Sequence, residues 1–98
     1  ALRKTGFDDL PNIYRNSNDI SYSTVPNYGQ QTVAEHAFSL LLTLSHRLHH
    51  EVPRVKQGDF YPKAPAGFDL AGKTLGSIGT GNIGRFVARI AHGFGMHI

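Results

Sequence analysis

The sequence predicts an α/β fold, and three observations carry that expectation. A glycine-rich turn near the C-terminal end stands between a short apolar run and an amphipathic segment. A longer stretch from residue 32 to 50 repeats apolar residues at helical spacing. A loop rich in proline and glycine lies between the two. Helix, loop, strand and helix in this order belong to layered folds in which helices cover a mostly parallel sheet.

Residues 1 to 29 are polar and irregular, with Asn12, Asn16, Asn18, Asn27, Pro11, Pro26 and Gly29. Leu2 can close a short strand before a turn at Gly6-Phe7-Asp8-Asp9. Ile20-Ser21-Tyr22-Ser23 alternates as a second strand would, and Pro26 would end it. There is no internal repeat and no low-complexity run.

Residues 32 to 50 predict the longest helix. Thr32 followed three residues later by Glu35 has the form of a capping box ahead of an apolar run. Val33, Ala37, Leu40, Leu41, Leu44 and Leu48 then recur at steps of three and four. A helix of that length spans roughly 27 Å. Phe38 and Leu42 widen its apolar surface beyond one stripe, so the helix is expected to be covered on more than one side. The cover can come from the chain's own domains or from a partner subunit. Pro53 interrupts the helix and can open a second, short one that reaches Lys56 and stops at Gly58. Asp59 to Gly72 holds Pro62, Pro65, Gly67 and Gly72 and reads as a connecting loop.

From Lys73 the chain reads as strand, glycine turn and helix. Leu75 and Ile78 lead into Gly79-Thr80-Gly81-Asn82-Ile83-Gly84, and Ile83, Val87, Ile90 and Ala91 follow at helical spacing. Gly93 and Gly95 break that helix, and Met96-His97-Ile98 begins a second strand. A G-x-G-x-x-G run is weak by itself, but between a strand and a helix it is a dinucleotide-binding fingerprint. Gly79 permits the tight turn, Gly81 lets the backbone approach a pyrophosphate, and Gly84 lets the helix pack closely. The helix then aims its free N–H groups and the positive end of its dipole at the phosphates. The acidic residue that would bond the ribose falls about 20 residues further on, beyond Ile98.

Size and composition narrow the rest. The 98 residues carry a formal charge of +3 and a pI near 9.5, but the ten Lys and Arg are scattered. That distribution reads as a solvated surface and not as a nucleic-acid footprint. Without cysteine, disulfides and thiolate metal sites are excluded within these 98 residues. The longest apolar run, Ala37 to Leu44, is far short of the ~20 residues of a membrane span. No signal sequence is visible, so a soluble, cytoplasmic protein is expected. The chain opens at Ala1-Leu2-Arg3 without a methionine and stops inside the β-α-β unit, so it is expected to be an internal piece of a longer protein.

Four short motifs in register resemble the D-isomer-specific 2-hydroxyacid dehydrogenases. They are Thr5-Gly6-Phe7-Asp8-Asp9, Val25-Pro26-Asn27-Tyr28, Val33-Ala34-Glu35-His36-Ala37 and Gly72-Lys73-Thr74-Leu75-Gly76, followed by the glycine turn. The likeness covers essentially the whole chain. Ala1-Leu2-Arg3, Tyr28 and His92-Gly93-Phe94-Gly95-Met96 are most similar to the fermentative D-lactate branch. The resemblance implies a two-domain, doubly wound, Rossmann-like protein with the NAD-binding domain inserted into the substrate domain. Residues 1–29 would end the first substrate-domain segment. Residues 30–98 would supply the connecting helix and the first β-α-β unit of the NAD-binding domain.

The same resemblance implies hydride transfer between NADH and a small 2-keto acid, pyruvate and D-lactate first, in a homodimer formed through the 32–50 helix. It places Thr5 and Gly6 at the substrate carboxylate and Tyr28 in the substrate pocket. It puts Val33 near the nicotinamide, and Gly79, Gly81, Asn82, Ile83 and Gly84 at the pyrophosphate. The family's catalytic arginine, glutamate and histidine lie downstream of Ile98, so no catalytic residue is expected here. A nucleotide-sensing corepressor on the same scaffold, or a sibling reductase acting on hydroxypyruvate or glyoxylate, are the alternatives. The chain departs from the family pattern at Pro11 to Asn18, at Asn27 and at Gly29-Gln30-Gln31.

Several residues invite other chemistry. Glu35 and His36 are neighbours, but adjacent helical residues point about 100° apart, so a capping Glu35 and a packing His36 are expected. His46 and His50 stand four apart, a metal-binding step, but the nearby His49 and Glu51 are expected to point elsewhere, so a solvated helix end is expected. Lys73 lies at the wrong end of its strand to meet a phosphate and is expected on the surface.

Overall fold

The computed structural model describes residues 23, 25–61 and 65–98. The expected strands at Leu2 and Ile20–Tyr22, the turn at Gly6–Asp9 and the substrate turn at Thr5 and Gly6 lie outside the described residues. Among the described residues three helices make up the framework: α1, Gln30–Ser45; α2, Leu48–Lys56; and α3, Asn82–Gly93.

Helix α1 begins two residues earlier than its sequence suggests, and without the capping box. Asn27 (φ 62°) and Gly29 (φ 74°) turn the chain through left-handed conformations that these two residue types tolerate best. The Asn27 side chain accepts a hydrogen bond from Gln30 Nε2 at 3.2 Å. Gly29 is the N-cap, and its carbonyl receives the first helical bond from Val33 N–H at 2.9 Å. Thr32 is therefore already helical, whereas a capping threonine needs an extended backbone to reach forward. Glu35 instead accepts the side-chain amide of Gln31 at 2.7 Å.

The single helix expected over residues 32–50 is two helices. His46 N–H still bonds Leu42 O at 2.9 Å, but Arg47 N–H tightens onto Leu44 O at 3.1 Å, and Arg47 turns left-handed (φ 57°). The cause lies in a distant loop. Ser45, 1% exposed, gives its carbonyl to Phe68 N–H at 3.0 Å. Gly67 sits so close that a Cβ there would be 2.2 Å from that same oxygen. An uninterrupted helix would use Ser45 O internally; docking of the loop takes it instead. Helix α2 thus starts at Leu48 and contains Pro53, which the sequence placed at its start. His46 and His50 consequently lie on either side of the break, not on one helix face. Helix α2 ends in a clamp: Arg54 donates to Glu51 at 3.0 Å, to Asp59 at 3.3 Å and to the Tyr61 carbonyl. The Asp59 hydrogen bond, foremost, holds the Arg54 guanidinium above its usual pKa.

α1 packs on α3. Among the described residues the buried apolar side chains are Ala34 and Phe38 of α1, Ala91 of α3, and Leu70 and Met96 from the flanking segments. Leu41, Leu42, Leu75, Val87 and Ile90 close around them. Phe38 stacks on Phe94 with ring centroids 5.5 Å apart and planes within 5°. Of the stripe marked in the sequence only Leu41 packs here; Val33, Ala37, Leu40, Leu44 and Leu48 are exposed, because the large ring of Phe38 sets which face meets α3.

The segments on either side of α3 meet side by side. Gly72 N–H bonds Gly95 O at 2.9 Å, His97 N–H bonds Lys73 O at 2.8 Å, and Leu75 N–H bonds His97 O at 2.8 Å. These bonds form one parallel bridge, Thr74 to His97. Among the described residues the pairing stops there; Ile78, expected to continue an apolar strand, is fully exposed. Among the described residues, no helix is long and apolar enough to cross a membrane.

Candidate functional site: a glycine turn at a helix N-terminus

The bridge at Thr74 delivers the chain to a tight turn that opens helix α3. Gly79 takes φ 103°, a conformation that side chains strongly disfavour. Gly81 is the N-cap, extended at φ −68° and ψ −167°, and no side chain caps the helix. A Cβ on Gly81 would meet no heavy atom within 4 Å. A Cβ on Gly84 would lie 2.4 Å from Gly79 O, so the turn folds back against the first helical turn there. Gly79, Gly81, Asn82, Ile83 and Gly84 thus come together at one loop–helix junction.

The polar groups of this junction divide by their pairing. No described residue accepts a hydrogen bond from the backbone N–H of Thr80, Gly81, Asn82, Ile83 or Gly84. The carbonyls, in contrast, are held. Ser77 Oγ donates to Gly79 O at 3.1 Å, Arg85 Nε donates to Thr80 O at 3.3 Å, and Arg85 N–H donates to Gly81 O at 3.0 Å. A cluster of unpaired N–H groups at the positive end of a helix is a receptor for an anion. Gly81 places no side chain over these donors. Ser77 and Arg85 escape a reading for fingerprints, since a serine before the turn and an arginine after it have backbone partners. Their only signal is their closeness in sequence to Gly79 and Gly84.

Tyr28 lies in the turn before α1 and is 69% exposed; Val33 is in the first stretch of α1 and is 51% exposed. Lys73 is exposed, and Glu35 bonds Gln31, not His36. Among the described residues no three His, Asp or Glu groups converge on a metal position.

A glycine turn that presents free N–H groups from a helix start, next to a parallel bridge, defines a dinucleotide-binding unit. Comparison with known proteins makes the class specific. The family model described as D-isomer specific 2-hydroxyacid dehydrogenase, NAD binding domain, matches residues 38–98. A 2-hydroxyacid dehydrogenase homolog of Haemophilus influenzae is 40% identical over 98 residues, covering all of this chain and 30% of that protein. The D-lactate dehydrogenase of Escherichia coli is 38% identical with the same coverage. The structure of a Salmonella D-lactate dehydrogenase superimposes with a TM-score of 0.68 at 44% identity, over 74% of this chain and 22% of that one. The chain belongs to the D-isomer specific 2-hydroxyacid dehydrogenase family and carries part of its Rossmann-like NAD-binding domain; the cofactor is NAD. It spans about 30% of the length of the curated relatives it matches.

Proposed function

We propose that this chain is part of an NAD-dependent D-2-hydroxyacid dehydrogenase that reduces a small 2-keto acid, with pyruvate to D-lactate the preferred reaction. The observation that carries the reading is the row of unpaired N–H groups from Thr80 to Gly84 behind a side-chain-free Gly81. When bound, NADH supplies the hydride; the chain's own part is to hold the cofactor's diphosphate. Gly79, Gly81, Asn82, Ile83 and Gly84 do so, with Val33 beside the nicotinamide. Thr5, Gly6 and Tyr28 serve the keto acid, the first two through fixed backbone donors that suit a carboxylate.

Residues 1–29 then close the first substrate-domain segment, and residues 30–98 form the connecting helix and the start of the NAD-binding domain. The paired segments around Thr74 and His97 are its first two strands, with α3 as the crossover between them. The apolar side chains that α1 leaves exposed at Leu40 and Leu44 support a homodimer built through this helix.

The test is a substrate panel on the whole enzyme. NADH oxidation is followed with pyruvate, glyoxylate and hydroxypyruvate, and the chirality of the product is determined. Pyruvate turnover to D-lactate with the highest kcat/KM is expected. Binding of NADH without oxidation by any 2-keto acid would sink the enzyme reading and leave a nucleotide sensor.

A further inference from the structure

The glycine turn has a weakness that its own sequence creates. A peptide unit next to glycine rotates easily, because no Cβ opposes the motion. In the Gly79-Thr80-Gly81 run, both peptide units border a glycine. In a trans peptide the C=O and the N–H point in opposite directions. Each rotation would therefore swap a donor for a carbonyl oxygen on the face meant for an anion.

Two side chains outside the fingerprint oppose that swap. Ser77 Oγ holds Gly79 O at 3.1 Å, which sends Thr80 N–H the other way. Arg85 Nε holds Thr80 O at 3.3 Å, which sends Gly81 N–H the other way. The next carbonyl, Gly81 O, is fixed by Arg85 N–H at 3.0 Å. Gly79 O also faces Gly84, where a Cβ would stand 2.4 Å from it. Three consecutive oxygens are thus anchored, and none of the five N–H groups from Thr80 to Gly84 is paired with a described residue.

We propose that Ser77 and Arg85 are positioning residues that latch the two flip-prone peptides of the turn, so that its N–H groups face the cofactor diphosphate. The inference rests on the dinucleotide reading of the same turn and goes beyond it. The latch acts through hydrogen bonds to the backbone and not through contact with the cofactor. Ser77 carries no charge, so its effect separates latching from simple attraction of an anion.

The test uses the whole enzyme as wild type, Ser77→Ala, Ser77→Thr and Arg85→Met. NADH is titrated by fluorescence, with ADP-ribose and adenosine as competitors. Loss of the Ser77 latch is expected to weaken NADH and ADP-ribose about fivefold, the usual worth of one neutral hydrogen bond, and loss of the charged Arg85 latch about tenfold or more. Adenosine, which has no diphosphate, keeps its affinity. Ser77→Thr, which keeps the hydroxyl, stays within about twofold of wild type. If Arg85→Met does not fold, the serine pair decides alone. NADH binding unchanged in Ser77→Ala, or adenosine weakening in parallel, overturns the latch while the dinucleotide site stands. A wild-type enzyme that does not bind NADH overturns both.

Discussion

Replacing Gly84 by alanine puts the closest backbone approach of the site under direct strain. The added Cβ would lie 2.4 Å from Gly79 O and 3.3 Å from its carbon, against 3.4 Å for ordinary contact. The turn and the helix must therefore separate by about 1.0 Å, taken as 3.4 minus 2.4. Neither atom is the end of a flexible side chain, so the Gly79 peptide has to rotate or α3 has to slide outward. Overpacking of this kind costs about 1–3 kcal/mol. The same shift displaces the N–H groups from Thr80 to Gly84, and charge-assisted bonds to a phosphate are worth about 1.5–3 kcal/mol each. Losing the equivalent of one raises the Kd for NADH by at least about tenfold. The variant is assayed in the whole enzyme by thermal unfolding and by NADH fluorescence titration. Gly81→Ala is the internal control. Its methyl meets nothing within 4 Å and its φ of −68° suits alanine, so the melt should be unchanged while NADH affinity falls. Gly84→Ala with both melt and affinity unaltered would refute the close-approach argument. So would Gly81→Ala that melts lower but binds normally.

Further outcomes follow from single positions. Gly79→Ala adds a side chain at φ 103° with no clash, so the loss is backbone strain of about 1–3 kcal/mol in denaturant unfolding; an unchanged midpoint would show that the turn relaxes. Gly67→Ala drives a Cβ to 2.2 Å from Ser45 O, and should lower the melting temperature and speed hydrogen exchange at the Phe68 amide. Slow exchange retained there would show that loop docking does not cause the break between α1 and α2. Phe38→Ala removes a ring that is 4% exposed and stacked on Phe94, and should cost about 3–5 kcal/mol by denaturant titration; under about 1 kcal/mol would mean α1 and α3 do not depend on it. Arg54 has a raised pKa, so its contribution is fully present below its unfolded value and is lost only in strongly alkaline solution. Arg54→Met should therefore destabilise equally at about pH 6 and about pH 9, and a difference between them would assign the clamp to another titrating group.

Much of the fold was legible because it is local. The helix from Asn82, the breakers Gly93 and Gly95 and the extended residues on either side follow from spacing and backbone freedom within a few residues. The buried face of α1 was not. Two stripes of equal helical spacing run along it, one through Val33, Leu40 and Leu44 and one through Ala34, Phe38 and Leu42. Periodicity gives both the same weight. The choice was made by Phe94, far along the chain, whose ring stacks on Phe38. The capping box failed for a related reason. Thr32 and Glu35 are a sound local signal, but Asn27 and Gly29 turn the chain first and helix formation runs forward from Gly29.

The break at His46 and Arg47 shows where local reading ends. Nothing in Leu44-Ser45-His46-Arg47-Leu48 is a helix breaker, and every residue there has fair helical propensity. Arg47 nevertheless takes a left-handed conformation that costs roughly 1–2 kcal/mol. The compensation comes from Phe68 N–H on Ser45 O and from burial of Ser45 under Gly67. The same logic governs the glycine turn. Its glycines announce where a backbone can bend, but freedom to bend is also freedom to face the wrong way. Direction comes from Ser77 and Arg85, whose acceptors are backbone oxygens and leave no pattern of residue types to recognise. A fingerprint therefore marks where a diphosphate can be held, while its neighbours decide how well the donors are aimed.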